Sequence, residues 1–144
     1  SLGADWQVVD GSGLSRSDRA AAGEVADLLL GVRDEPGFHT LFRALPVAGR
    51  TGTLEWRMRG TTAAGRVRAK TGTYDDWLAS SLAGYFWPAG SGKSPARAYV
   101  VVSLENGLSP FRARPVQDAV MAALTARGAL EAPSVAPIGI TRVR

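Results

Sequence analysis

Arg66-Val67-Arg68-Ala69-Lys70-Thr71-Gly72-Thr73 opens with a short alternation of polar and apolar side chains and ends in a lysine, a glycine and two threonines. A period of two predicts a strand with one buried face, which puts Lys70 and Gly72 on or beside it. Downstream, Trp77 to Trp87 is an apolar strand candidate. Arg97 to Glu105, with Ala98-Tyr99-Val100-Val101-Val102, is the clearest β pattern in the chain. The stretch between them, 88–95, is rich in Gly, Ser and Pro and reads as a hairpin loop.

Upstream the pattern is mostly helical. Trp6 to Val9 reads as a short strand, and Asp10-Gly11-Ser12-Gly13 as a turn. Ala21, Val25, Leu28, Leu29 and Val32 fall at helical spacing, with Ser15 or Ser17 as the expected cap. A second short helix spans about Phe38 to Ala44 and stops before Pro46. Thr53 is expected to cap a further helical turn, Leu54 to Arg59. After the strands, a last helix runs from Phe111 or Pro115 to Arg127, with Val116, Val120, Met121 and Leu124 as its apolar stripe. From Gly128 onward periodicity fades, so residues 128–144 are expected as an edge strand or loose tail. The order predicts an α+β fold, an antiparallel sheet flanked by helices.

Composition narrows the function. The 144 residues are 45% hydrophobic, enough for one domain with a core. No apolar run reaches the roughly 18 residues that a membrane span needs. Cysteine is absent, which excludes disulfides, thiolate chemistry and cysteine-based zinc sites. Neither a metal nor a cofactor is expected. The net charge of +4 is carried almost wholly by arginine, and Lys70 and Lys93 are the only lysines. Retaining a lysine in so arginine-rich a chain fits a site that needs a compact ammonium. The arginines are scattered, Arg66/Arg68 and Arg112/Arg114 forming small pairs that read as solvated faces. No aromatic platform accompanies them, so no nucleic-acid partner is expected.

The chemistry concentrates at Lys70-Thr71-Gly72-Thr73. A strand-borne Lys-Thr-Gly is one of three signatures of serine acyl-enzymes that recognise D-alanyl peptides and β-lactams. An ammonium with a neighbouring hydroxyl can hold a terminal carboxylate. Gly72 lets a peptide lie close along the strand. The N–H just after it can face a developing oxyanion, and an exposed edge can pair with a peptide backbone. Other motifs fail. Gly90-Ser91-Gly92-Lys93-Ser94 lacks the earlier glycine of a phosphate loop, with Trp87 in its place, and Pro95 and a valine-rich strand follow where a helix is needed. His39, the sole histidine, has no partner at metal-ligand spacing and reads as a helix surface residue.

Four segments occur together in a recognisable order: Asp10-Gly11-Ser12-Gly13-Leu14-Ser15-Arg16, Leu45-Pro46-Val47-Ala48-Gly49 with Gly52-Thr53-Leu54, Val67 to Thr73, and Leu82-Ala83-Gly84-Tyr85. In these the chain resembles the C-terminal part of class C low-molecular-mass penicillin-binding proteins, the D-alanyl-D-alanine carboxypeptidase/endopeptidases of the penicillin-binding protein 4 type. The resemblance implies the C-terminal portion of a serine β-lactamase/penicillin-binding-protein-like fold, with residues 1–127 in the acyl-transferase domain. It implies peptidoglycan stem peptides and β-lactams as ligands and a location outside the cytoplasmic membrane. By that likeness Lys70 supports the groove's electrostatics and proton movement. Thr71 and Thr73 offer hydroxyls to the substrate carboxylate, Gly72 lies beneath the peptide, and the Thr73 N–H forms half of an oxyanion hole.

The family's Ser-x-x-Lys and Ser-x-Asn have no counterpart here, since neither lysine has a serine three places before it. The expected enzyme therefore takes its nucleophile from a companion N-terminal segment, and this chain alone is expected to be inactive. A start so close to a strand suits a fragment or processed chain. The rival readings are a non-catalytic peptide- or β-lactam-binding module of the same fold, and a basic surface module.

Overall fold

The alternating run and the two apolar runs form three strands, β1 (Val67–Tyr74), β2 (Ala79–Phe86) and β3 (Tyr99–Asn106). They pair antiparallel in the order β1-β2-β3, with Val67 opposite Phe86 and Phe86 opposite Tyr99. Two helices precede the sheet, α1 (Ala22–Gly31) and α2 (Phe38–Ala44), and α3 (Pro110–Ala126) follows it. The structure, a computed structural model, describes residues 6–74, 76 and 78–127. The tail from 128 onward lies outside the described residues, as does position 77, the expected start of the second strand. The α+β order expected from the sequence is the one observed.

Each face of the sheet buries a different cluster. Val67, Ala69, Leu82 and Phe86 pack with Met121 of α3 and with Ala48, Leu54, Met58 and Ala63 from the chain before β1. On the opposite face Tyr85, with Trp87 and Ala98, receives Phe38 and Phe42 of α2. Phe38 meets Tyr85 edge-on at 5.6 Å, and Phe42 meets Trp87 at 5.5 Å. Each buried ring contributes roughly 1.5–3 kcal/mol. That packing holds a 7-residue helix that would not persist alone. The Tyr85 hydroxyl donates to the Leu29 carbonyl at 2.7 Å and so ties α1 to the sheet. Burial raises the Tyr85 pKa, and Arg33, 5.3 Å above the ring, partly opposes the rise.

Four local expectations change. The strand at Trp6 to Val9 is a single bridge, Gln7 to Arg19. Val8 and Val9 are exposed, and the Val9 N–H donates to Asp18 at 2.7 Å instead of to a strand. α1 begins at Ala22, with Ala21 as its cap residue. Glu24 accepts the Ala21 N–H at 2.8 Å, so the acidic half of a capping box suffices without a serine. Ser15 instead accepts the Ser17 N–H at 3.2 Å within a turn. The turn near Thr53 is a 3₁₀ turn over Gly52–Leu54, preceded by Thr51, and the Thr53 hydroxyl is engaged with β1.

The fourth change is the face of α3. Val116 and Val120 are 53% and 48% exposed, whereas Ala113, Gln117, Met121 and Thr125 are buried. Polar partners beneath the helix explain the rotation. The Gln117 amide donates to Ser80 Oγ at 3.3 Å and to Glu105, and accepts from Arg57 at 2.9 Å. Arg57 also pairs with Asp118 at 2.7 Å. Thr125 Oγ1 donates to the Met121 carbonyl at 2.7 Å. Buried polar groups whose bonds are made escape the penalty of unpaired ones.

Candidate active-site crevice

β1 lies at an edge of the sheet, and its outer side is covered only in part. The Ala48 N–H donates to the Val67 carbonyl and the Ala69 N–H to the Pro46 carbonyl, both at 3.0 Å. On the inner side the Arg66 carbonyl accepts from Trp87. Backbone groups along an edge strand alternate between its two sides. Residues 67, 69, 71 and 73 therefore turn their N–H and C=O groups outward. Among the described residues the cover ends at Ala69, so the edge opens where Lys70 to Thr73 begin. Side chains alternate as well: Lys70, Gly72 and Tyr74 share the face of Tyr85, and Thr71 and Thr73 that of Leu82.

A crevice of about 660 Å³ opens at this edge, walled by residues 12–16, 18–20, 70–74, 79–81 and 104–106. Lys70 is exposed along it, and its ammonium donates to the Thr71 carbonyl. Thr71 Oγ1 donates to Thr53 Oγ1 at 2.9 Å, and Thr73 Oγ1 accepts from the Arg114 guanidinium at 3.1 Å. At Gly72 a Cβ would lie 2.3 Å from Ser81 Oγ. The bare glycine thus makes room for a serine hydroxyl on the crevice wall, besides leaving the strand open to a ligand. The crevice's own carboxylates are engaged, Asp18 with the Val9 N–H and Glu105 with Ser103 and Gln117.

The opposing wall comes from the Asp10-to-Arg16 loop. Gly13 takes a φ of +73°, and the Tyr74 hydroxyl donates to the Leu14 carbonyl, fastening the loop to the end of β1. Asp10 organises the turn, accepting the Gly13 N–H at 2.8 Å, the Ser12 hydroxyl at 3.0 Å and the Ser12 N–H at 3.1 Å. Desolvation acts to raise the Asp10 pKa, but these bonds outweigh it and hold the carboxyl below its ordinary 3.8. A carboxyl whose pKa is depressed by folding stabilises the native loop above the unfolded pKa and loses that effect as pH falls through the folded one. Amide protection at Ser12 and Gly13 is therefore expected to drop as the pH falls below 3.8 in the wild type. In Asp10→Asn it is expected to be lower and flat over the same range. Flat protection in the wild type would show that the carboxylate does not organise this turn.

Lys70, Thr71, Gly72 and Thr73, singled out in the sequence, all line the crevice. His39 does not: it is exposed on α2, its ring 5.9 Å from Phe38. Gly90 to Ser94 lie in the β2–β3 loop, followed by a 3₁₀ turn, Pro95–Arg97. Desolvation, then repulsion from Arg50, Arg66 and Arg68, lowers the Lys93 pKa, so that lysine belongs to a separate basic surface. Thr53, read from sequence as a helix cap, and Arg114, read as part of a solvated pair, carry no site role in the sequence, nor do Tyr74 and Ser81. Tyr74 carried a readable signal, since it follows Thr73 on the Lys70 face. Thr53 and Arg114 reach β1 only through tertiary contacts. Among the described residues no three His, Asp or Glu side chains gather to hold a metal ion.

The chain is 41% identical over 129 residues to a D-alanyl-D-alanine carboxypeptidase from Actinomadura sp. strain R39, an alignment covering 86% of this chain and 22% of that protein. It superposes on penicillin binding protein 4 from Haemophilus influenzae, solved with a β-lactam, at a TM-score of 0.66 and 26% identity, covering 81% of this chain and 27% of that one. A second structure of that protein gives 0.59 and 28%, covering 76% and 23%. The chain thus spans about a quarter of its relatives' length and has their α+β penicillin-binding-protein fold. Residues 3–127 match one family model, and the chain belongs to the D-Ala-D-Ala carboxypeptidase 3 (S13) family.

Proposed function

We propose that the chain is the Lys-Thr-Gly-bearing part of a serine-type D-alanyl-D-alanine carboxypeptidase/endopeptidase that acts on peptidoglycan stem peptides through an acyl-enzyme. One observation carries this reading: Ser12 to Arg16, from the turn that Asp10 organises, and the Lys70-to-Tyr74 edge wall the same open crevice. Residues 1–127 belong to the acyl-transferase domain. The nucleophile, in Ser-x-x-Lys, and the Ser-x-Asn serine come from polypeptide outside this chain.

The stem peptide lies along the open edge of β1, its terminal carboxylate beside the hydroxyls of Thr71 and Thr73 and within the field of Lys70. The serine oxygen attacks the penultimate D-alanyl carbonyl. Charge on the carbonyl oxygen is held by the outward N–H of Thr73 and by the nucleophile's own N–H. Collapse breaks the C–N bond, and the leaving amine takes up the proton that the serine gave. Water then cleaves the ester. A β-lactam, whose ring holds a reactive amide, acylates the same serine. The reaction takes place outside the cytoplasmic membrane. No helix among the described residues is long and apolar enough to cross one.

The test is covalent labelling of the full protein with a fluorescent penicillin, followed by mapping of the modified residue. Label is expected on a serine of Ser-x-x-Lys outside residues 1–144. Label within these residues would overturn the assignment of the nucleophile. Binding of the penicillin without label would favour the second reading, a non-catalytic module of the same fold.

A further inference from the structure

Arg114 stands near the start of α3, and its guanidinium donates to Thr73 Oγ1 at 3.1 Å across the end of β1. We infer that Arg114 is a positioning and specificity-determining residue, which turns Thr73 into a donor for the anionic end of the ligand; this rests on the peptidase reading above. A threonine hydroxyl has one proton and two lone pairs. The arginine N–H occupies a lone pair, so the Thr73 proton is not spent on that contact. Thr73 is exposed on the crevice wall, where the proton is available to an acceptor. A hydroxyl that accepts from a cation is also a stronger donor, because hydrogen bonds in a chain polarise one another.

Charge distribution supports the assignment. Asp118, the nearest carboxylate along α3, is taken by Arg57 at 2.7 Å. Among the described residues Arg114 has no carboxylate within ion-pair distance, and neither has Lys70. Two cations without ionic partners of their own thus flank the two threonines. That arrangement favours a carboxylate over a neutral carboxamide at the same place, since charge-assisted bonds are roughly twice as strong as neutral ones. Arg114 lies off the crevice wall itself, so it acts through Thr73 and not by contact with the reacting atoms.

The experiment compares two peptides on the full protein, one ending in free D-alanyl-D-alanine and one with that terminus as a carboxamide. In Arg114→Ala the acid-to-amide ratio of kcat/KM is expected to fall roughly 10-fold or more. Thr73→Val is expected to lower it similarly, and the double variant no further than either single one. A ratio within about 2-fold of wild type, or additive losses in the double variant, would overturn the proposal. Arg114→Gln gives the same readout if Arg114→Ala does not fold. Fluorescent penicillin separates the two levels of inference. A wild type that does not label sinks the peptidase reading and this proposal with it. Normal labelling with an unmoved ratio sinks this proposal alone.

Discussion

Lys70→Ala, introduced into the full protein, is expected to slow acylation by a fluorescent penicillin on the order of 100-fold. The estimate follows from what removing one preorganised electrostatic partner from an acyl-transfer site typically costs. Lys70 is exposed, and its one described bond is to the Thr71 carbonyl on its own strand, so its removal should leave stability within about 0.5 kcal/mol. A fall in labelling then reports on the crevice and not on folding. Lys70→Arg keeps the charge but replaces a compact ammonium with a planar fork, and an intermediate rate is expected. Single-turnover labelling with each protein, at matched thermal midpoints, makes the comparison. Equal rates for wild type and Lys70→Ala would remove Lys70 from the mechanism and leave the crevice without its central cation.

Features set by chain-local rules were legible in the sequence. A period-two run gave β1, apolar and β-branched runs gave β2 and β3, and the breaks at Pro46 and the Gly-, Ser- and Pro-rich stretch gave the ends of α2 and the β2–β3 loop. Lys70 to Thr73 were legible because a Lys-Thr-Gly borne on a strand is a recognisable signature whose residue types suit an anionic peptide end. What could not be read depended on side-chain partners that periodicity does not specify. The face of α3 turns on Gln117 finding Ser80, Glu105 and Arg57, which outweighs the better apolar pattern of Val116 and Val120. The α1 cap moved because Glu24 satisfies the N–H of an alanine. Arg114 looked like half of a solvated pair with Arg112 until the fold placed it against Thr73. For Gln117 and Arg114 a polar side chain met a partner far away in sequence, and periodicity carries no record of such partners; the Glu24 cap is local, but its residue type differs from the serine expected.

Gly84 gives the sharpest test of how tightly β1 and β2 are held. It sits in β2 opposite Ala69 on one side and Val101 on the other. A Cβ there would come within 2.2 Å of the Arg68 carbonyl oxygen, 2.6 Å of the Ala69 Cα and 2.9 Å of its Cβ. The first two atoms are backbone, and β1 cannot retreat easily. Pro46 and Ala48 bond to its outer side, and Leu82 and Phe86 are buried on the face it shares. Gly84→Ala is therefore expected to destabilise the protein by about 3 kcal/mol, the upper end of typical overpacking costs. The thermal midpoint should fall by roughly 10 °C. Gly72→Ala is the control on the same pair of strands. Its Cβ would meet only the Ser81 side chain, the hydroxyl at 2.3 Å and the Cβ at an ordinary 3.6 Å. A serine can rotate away, so the loss should stay under about 1 kcal/mol. Adding Ser81→Ala should remove most of it. A Gly84→Ala protein melting within about 2 °C of wild type would show that the strands part readily. The open edge at Lys70 to Thr73 would then lack the rigid backing that an oxyanion donor at Thr73 requires, because a preorganised donor is only as well placed as the strand that carries it.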